Sequence, residues 1–234
     1  MSSHSNLAAL DWTGAAASLD SQGWALLPKL LDALATARLR GLYDKEIFRS
    51  HVIMARHGFG RGEYKYFSYP LPDPIAALRP ALYERLAPIA NRWADMKEDA
   101  TRYPLQHQDF LDRCHQAGQS RPTPLLLKYG VGDYNCLHQD LYGEHVFPLQ
   151  VAILLSQPGE DFTGGEFVMT EQRPRMQSRA SVVPLTEGDA VVFAVHRRPV
   201  KGGRGTYTVN HRHGVSALGT GARFTAGIIF HDAA

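Results

Sequence analysis

The chain has 234 residues, 44% hydrophobic and 21% charged, which is enough to enclose a core without staples and excludes a disordered chain or a coiled coil. Lys and Arg number 25 against 23 Asp and Glu, so histone-like neutralisation of nucleic acid is excluded, although a local basic patch is not. Cys114 and Cys136 stand alone without Cys-x-x-Cys spacing, which rules out a disulfide scaffold and a four-Cys zinc site.

No Lys or Arg precedes Lys29, and the apolar runs of the first thirty residues are too short to span a bilayer. The expectation is therefore no signal peptide, no membrane anchor and a cytoplasmic location. Leu7 to Leu34 breaks at Gly23 and carries a short apolar run, Trp24, Leu26 and Leu27, before Pro28. This pattern predicts helix, short strand, helix. His57 to Gly62 is glycine-rich and leads into the aromatic Tyr64 to Tyr69 and the turn-forming Pro70, Pro72 and Pro74, which reads as a loop or hairpin. From Ile75 to about Glu98, Leu78, Leu82, Leu86, Ile89 and Trp93 recur at helical steps, predicting an amphipathic helix. A second helix is predicted from Leu105 to Ala117, with Phe110, Leu111 and Cys114 inward.

Beyond Gln119 the pattern changes to short β-rich runs separated by Gly and Pro: 124–129, 134–138, 149–156, 166–170, 181–185, 190–195, 207–209 and 223–230. Eight runs at this spacing predict a double-sheet jelly roll, whose mouth can hold a metal or ligand. The fold class expected is α+β, a jelly-roll (double-stranded β-helix) core over residues 121–234 with an N-terminal helical and lid region over 1–120. No long polar linker divides the two, so a single domain is expected.

The sharpest local signal is His138-Gln139-Asp140. On a strand, residues two apart share a face, which sets an imidazole beside a carboxylate as a chelating pair. The third candidate ligand is His213, in Asn210-His211-Arg212-His213-Gly214-Val215, placed immediately before the last strand. Its rival is His211, two residues earlier. Two imidazoles and one carboxylate on one face of an octahedral metal leave three positions open, an arrangement suited to non-haem Fe(II) and dioxygen. Arg223, ten residues after His213, offers a planar fork for the distal carboxylate of a keto-diacid, and Thr225 lies on the same strand face.

With these residues in place, the stretch from about 121 to 232 resembles the Fe(II)/2-oxoglutarate-dependent dioxygenases. Tyr129 stands nine residues before His138 with Gly132 between them, as in AlkB-type nucleic-acid demethylases and prolyl hydroxylases. Gly164-Gly165-Glu166 and the following Gly188-Asp189-Ala190-Val191-Val192-Phe193 resemble the prolyl hydroxylase group. The run Lys128 to Glu144 and the tail from His213-Gly214-Val215 through Ile228 to Asp232 are similar to a bacterial family described as oxidative demethylases of damaged DNA. The resemblance implies Fe(II) on His138, Asp140 and His213, and 2-oxoglutarate with one carboxylate on Tyr129 and the far one on Arg223 and Thr225. It implies oxidation of a C–H bond by O2, with release of succinate and CO2, and demethylation where the carbon is an N-methyl group. The chain departs from the AlkB pattern in carrying Leu127 where those enzymes have Asn, and a single Arg at short range, which is the prolyl hydroxylase spacing.

Other features stay open at this level. Phe59, Tyr64, Tyr66, Phe67 and Tyr69, interleaved with Arg56, Arg61 and Lys65, read either as a substrate lid or as aromatics covering the helical core. Glu171 to His213 holds eight Lys or Arg against three Asp or Glu, either a phosphate-tracking surface or solubilising loops. His145, His196 and His231 read as surface or hydrogen-bonded histidines, and the Trp93 helix and Leu30 to Leu39 as core. The rival functions are a hydroxylase of protein or small-molecule substrates, a non-catalytic metal-binding jelly-roll module, and a zinc hydrolase. The Arg223 clamp speaks against the last.

Overall fold

A computed structural model describes residues 6–141, 143–203 and 205–234. Four helices, α1 (Trp12–Gln22), α2 (Ala33–Gly41), α3 (Ile75–Met96) and α4 (His107–Gln116), accompany fifteen strands among the described residues. The strands of the first half are β1 (Trp24–Leu27), β2 (Phe48–Ile53), β3 (Gly60–Arg61) and β4 (Glu63–Phe67). After the helices come β5 (Leu125–Tyr129), β6 (Tyr134–His138), β7 (Leu149–Leu154), β8 (Phe162–Gly164), β9 (Phe167–Gln172) and β10 (Arg179–Val183). The chain ends with β11 (Ala190–Ala194), β12 (Arg197–Gly202), β13 (Gly205–Val215), β14 (Leu218–Gly221) and β15 (Arg223–Ile228).

Local chemistry sets the first elements. The Asp11 carboxylate caps α1 by accepting from the Gly14 N–H, and Asp32 caps α2 through the Ala35 N–H, satisfying donors that the first helical turn leaves unpaired. Gly23 ends α1 at φ 82° and bonds back to the Leu19 carbonyl. A side chain there would also strike the His211 ring, 2.4 Å from the position of a β-carbon. Helix α3 buries the row expected from its sequence, Leu78, Leu82, Leu86, Ile89 and Trp93.

A seven-stranded antiparallel sheet, ordered β1-β11-β7-β15-β5-β4-β2, faces a second sheet ordered β10-β9-β13-β6-β3, with β12 paired to β13 and β14 paired to β8. This is the jelly roll expected, but it is larger than eight runs. The seven-stranded sheet takes β1, β2 and β4 from before residue 120, and β2, β3, β8, β12 and β14 have no counterpart among the predicted runs. They are short, or rich in polar and glycine residues, so they carry little period-two signal.

Strands β7 and β15 are buried on both faces. Val151, Ile153, Ala226 and Ile228 pack with α3, Trp93 and Phe230 in a core beneath the helices. Ala152 and Leu154 point the other way, into a core between the sheets with Phe167, Met169, Phe193 and Val215. The inward face therefore serves as the wall of a site, while the outward face carries the helical layer. That layer is fastened by Arg79 of α3, whose guanidinium donates to the Ile229 and His231 carbonyls and to Asp232 at 2.8 Å, with both charged side chains buried. Among the described residues no helix is long and apolar enough to cross a membrane.

Candidate metal centre and cosubstrate pocket

Strands β6 and β13 pair with His138 directly opposite His213, which brings the two ring centroids to 4.2 Å. Asp140 lies two residues past His138, beyond the strand end rather than on the strand as alternation suggested, and its carboxylate turns back between them. One oxygen lies 3.3 Å from His138 Nε2 and the other 3.4 Å from His213 Nε2. His213 does not immediately precede the last strand. It sits inside the eleven-residue β13, with β14 between it and β15, because β13 runs well past the predicted 207–209.

The rings are prepared as ligands. His138 Nδ1 stands 2.8 Å from the Cys136 carbonyl, and since a carbonyl can only accept, Nδ1 carries a proton, so that the neutral ring would present the Nε2 lone pair to a metal. The His213 ring is packed against Phe193, 4.5 Å between centroids, and nearly parallel to Phe167 at 5.9 Å. Burial works against ionisation of Asp140, yet the hydrogen bonds and charges of His138 and His213 prevail and hold its carboxyl well below the usual range. Burial, then the neighbouring His138, pushes His213 down. For His138 burial presses downward too, but Asp140 outweighs it and the ring is raised. One oxygen and two nitrogen donors thus lie within 4.8 Å of one another, a set that fits a first-row divalent ion with open positions. It is the one cluster of this kind among the described residues.

His211, the rival ligand, does not join it. It is buried against Gly23, with its Nε2 3.3 Å from the Nε of Arg198. His145, His196 and His231 are not among the cavity-lining residues. His231 is wholly buried and accepts from the Phe147 N–H.

The cluster opens on a cavity of about 370 Å³ between the sheets. At one end β15 and β5 set Arg223 opposite Tyr129, both buried, with the guanidinium carbon 5.6 Å above the phenol ring. Arg223 donates to the Thr225 hydroxyl at 2.6 Å, but its Nε has no hydrogen-bond partner, and the Tyr129 hydroxyl has none within 3.5 Å, with the Asn135 side chain approaching it more loosely. Among the described residues no carboxylate pairs with Arg223 within 4.0 Å, and burial lowers it to about 10. Burial likewise pushes the Tyr129 phenol up to about 12. Buried cations are ordinarily paired and buried hydroxyls bonded, so this end is shaped for an anion that accepts from both.

The aromatic segment divides. Phe59, Tyr64 and Tyr66 line the cavity, whereas Phe67 stacks on Phe48 in the helical core and Tyr69 bonds Asp232 on the far side. The basic stretch is also partly consumed internally: Arg173, Arg179 and Arg198 all pair with the buried Glu171 carboxylate. Arg204 lies outside the described residues. Polar cavity residues, Asn135 and Gln150 among them, escaped the sequence reading. Gln150 lines the chamber from β7, and the signal was available in a lone carboxamide within the otherwise apolar run Leu149 to Leu155.

A family model described as "oxygenase, catalysing oxidative methylation of damaged DNA" matches residues 62–233, which takes in Tyr129, His138, Asp140, His213, Arg223 and Thr225. The chain belongs to this oxygenase family. It is also 52% identical over 169 residues, 72% of each chain, to uncharacterized proteins of two strains of Mycobacterium tuberculosis. Its fold is that of the 2-oxoglutarate-Fe(II) oxygenases. A Burkholderia pseudomallei oxidoreductase of that family superposes with TM-score 0.53 at 17% identity, covering 96% of this chain and 93% of the other. A Pseudomonas putida prolyl-4-hydroxylase gives 0.51 at 14%, over 94% and 98%. A Trichoplax adhaerens prolyl hydroxylase, solved with a peptide fragment of hypoxia inducible factor, gives 0.54 at 14%, over 93% and 87%.

Proposed function

We propose that this oxygenase holds Fe(II) on His138, Asp140 and His213, binds 2-oxoglutarate against Arg223, Thr225 and Tyr129, and oxidises a C–H bond of a substrate placed in the remaining cavity. The observation that carries this reading is the buried, carboxylate-free Arg223 in the same cavity as the three metal-type donors. Fe(II) bound there, with O2, supplies an oxidant able to hydroxylate an unactivated carbon as 2-oxoglutarate becomes succinate and CO2. The protein's part is positional. Because the fold sets Tyr129 beside Arg223 rather than at the other end of the cosubstrate, both take the distal carboxylate instead of one each; Thr225 fixes the guanidinium from one side, and the apolar walls Leu127, Phe167 and Phe193 keep bulk water from the reacting end. His138 and His213 would offer neutral nitrogens and Asp140 one charge, and an octahedral ion held by these three would keep three positions for 2-oxoglutarate and O2.

For the substrate we take up the family's description and propose an alkylated base in nucleic acid, with loss of an N-methyl group as formaldehyde. Phe59, Tyr64 and Tyr66 give such a base a flat apolar wall. A protein or small-molecule hydroxylase is the second reading, favoured by the prolyl-hydroxylase-like spacing of Arg223 and the Gly164-Gly165-Glu166 turn. We place the protein in the cytoplasm, where the exposed Cys136 thiol would stay reduced. The test supplies Fe(II), 2-oxoglutarate and O2 with a methylated oligonucleotide or a proline-containing peptide, and follows succinate and formaldehyde. Succinate with formaldehyde from the oligonucleotide supports demethylation, and succinate with a hydroxylated peptide supports the second reading. Metal binding with no 2-oxoglutarate consumption under any condition would leave a non-catalytic module.

A further inference from the structure

Apart from His213, three buried polar groups facing the cavity have no hydrogen-bond partner within 3.5 Å: the Tyr129 hydroxyl, Arg223 Nε and Gln150 Nε2. The first two lie opposite each other in register, and a single carboxylate matches both. Gln150 stands elsewhere. It precedes by four residues Leu154, which pairs with Thr225, so its backbone lies ~13 Å along the sheet from that clamp. It pairs instead with Phe193, whose ring packs on His213. Gln150 therefore faces the part of the chamber next to the proposed metal and away from Arg223.

A carboxamide that is 3% exposed in an otherwise apolar strand is unfavourable unless something accepts from it. Across β15, β5 and β4 the register runs from Ala152, the next inward residue after Gln150, through Gly227 and Leu125 to Tyr66, and all of these line the cavity. The Tyr66 ring gives this slot a flat side against which a planar group can lie. Among the described residues the charged or titratable side chains lining the cavity are His138, Asp140, His213 and Arg223, besides its tyrosines and Cys136. A charged group in the slot beside Gln150 would have no counter-ion left to it.

We infer that Gln150 is a specificity-determining residue: its Nε2–H donates to a carbonyl-type acceptor on a planar, uncharged ring or amide that carries the carbon to be oxidised. This rests on the oxygenase reading of the centre. It selects a neutral acceptor-bearing group over an aliphatic chain or an ion, whichever macromolecule presents it.

The experiment uses the full chain loaded anaerobically with Fe(II) and 2-oxoglutarate, and two probes of similar outline. N-methyl-2-pyridone has one acceptor, and toluene has none. Binding of each is measured by ligand-observed NMR for the wild type, Gln150→Leu and Gln150→Glu, and 2-oxoglutarate affinity is read from the visible charge-transfer band of the same samples. The wild type is expected to favour the pyridone, Gln150→Leu to lose about tenfold for it while holding toluene as well or better, and Gln150→Glu, an acceptor in place of the donor, to lose at least as much. The band is expected to survive in both variants, which also shows that they fold. Failure of the wild type to bind the pyridone saturably, or equal pyridone affinity in wild type and Gln150→Leu, would overturn the assignment. So would a loss confined to 2-oxoglutarate, which would place the carboxamide on the cosubstrate. Absence of the band in the wild type would instead overturn the oxygenase reading beneath it.

Discussion

Arg223 illustrates how one residue can be read twice. In sequence it is only an arginine ten positions after a histidine. In the fold it is a guanidinium 1% exposed, with the Thr225 hydroxyl as a neutral partner and a phenol ring beneath it. The Tyr129 hydroxyl beside it should act as a donor to the same anion. Tyr129→Phe is expected to weaken 2-oxoglutarate binding about three- to tenfold, the worth of one hydrogen bond in a buried site, while leaving Fe(II) affinity unchanged. Isothermal titration of each ligand checks this, and an unchanged 2-oxoglutarate affinity would remove Tyr129 from the clamp. The His138, Asp140, His213 and Arg223 set could be picked out in sequence by its spacing and its resemblance to a known family, although Asp140 reaches the cluster from past the end of β6 and not by strand alternation. Gln150 could not, because a carboxamide in an apolar run becomes informative only once the cavity it faces is known.

Among the elements, the turn between β8 and β9 lies directly against the clamp that β15 and β5 carry. Gly164 and Gly165 have φ of 69° and 64°, a left-handed conformation costly for any residue with a β-carbon. A β-carbon on Gly165 would lie 2.5 Å from Leu218 Cδ1 and 3.1 Å from Arg223 Cδ. Gly159, at φ 84°, has open space around it. Gly165→Ala and Gly159→Ala should therefore both lose about 1 to 2 kcal/mol of stability from strain, but only Gly165→Ala should also weaken 2-oxoglutarate binding. Thermal unfolding and cosubstrate titration on both variants separate the effects, and equal cosubstrate affinity in the two would show that the turn does not support Arg223. The Gly-Gly pair was visible in sequence, but its contact with Arg223 was not, because β14, which brings Leu218 alongside, is too short and glycine-rich to read as a strand. The same holds for β2, whose hairpin with β4 turns Tyr64 and Tyr66 inward while Phe67 packs into the helical core.

At the scale of the whole molecule, helices and sheet share a core that reaches across residue 120, and polar groups buried at the seam tie its stability to pH. His107 of α4 is 4% exposed and donates to the Phe230 carbonyl at 2.7 Å. Burial, reinforced by the charge of Arg79, lowers it from 6.5 to about 4. The folded state thus binds fewer protons than the unfolded one between these values, so the contribution is complete above pH 6.5 and declines as pH falls toward 4. The loss is up to about 3 kcal/mol. Chemical unfolding from pH 7 to 4 should show this slope in the wild type, and a shallower one in His107→Gln, which keeps the donor but cannot titrate. Identical slopes would show that His107 is not the titrating group. Asp232, lowered in the folded state chiefly by Arg79 against the cost of burial, adds a further loss only below its ordinary range near 3.8. Replacing Arg79 with Met should cost about 3 to 5 kcal/mol, because it leaves that carboxylate buried without its cation.

The site stands or falls on whether the three donors and the arginine serve one bound pair of ligands. The most direct measurement is an anaerobic titration of 2-oxoglutarate into the Fe(II)-loaded protein, followed by its visible spectrum, with Arg223→Lys and His213→Ala alongside. The expected result is a metal-to-ligand charge-transfer band that saturates in the wild type, needs markedly more 2-oxoglutarate in Arg223→Lys, where the planar fork is lost, and fails to form in His213→Ala. A wild-type protein that binds Fe(II) yet develops no band at any 2-oxoglutarate concentration would contradict it.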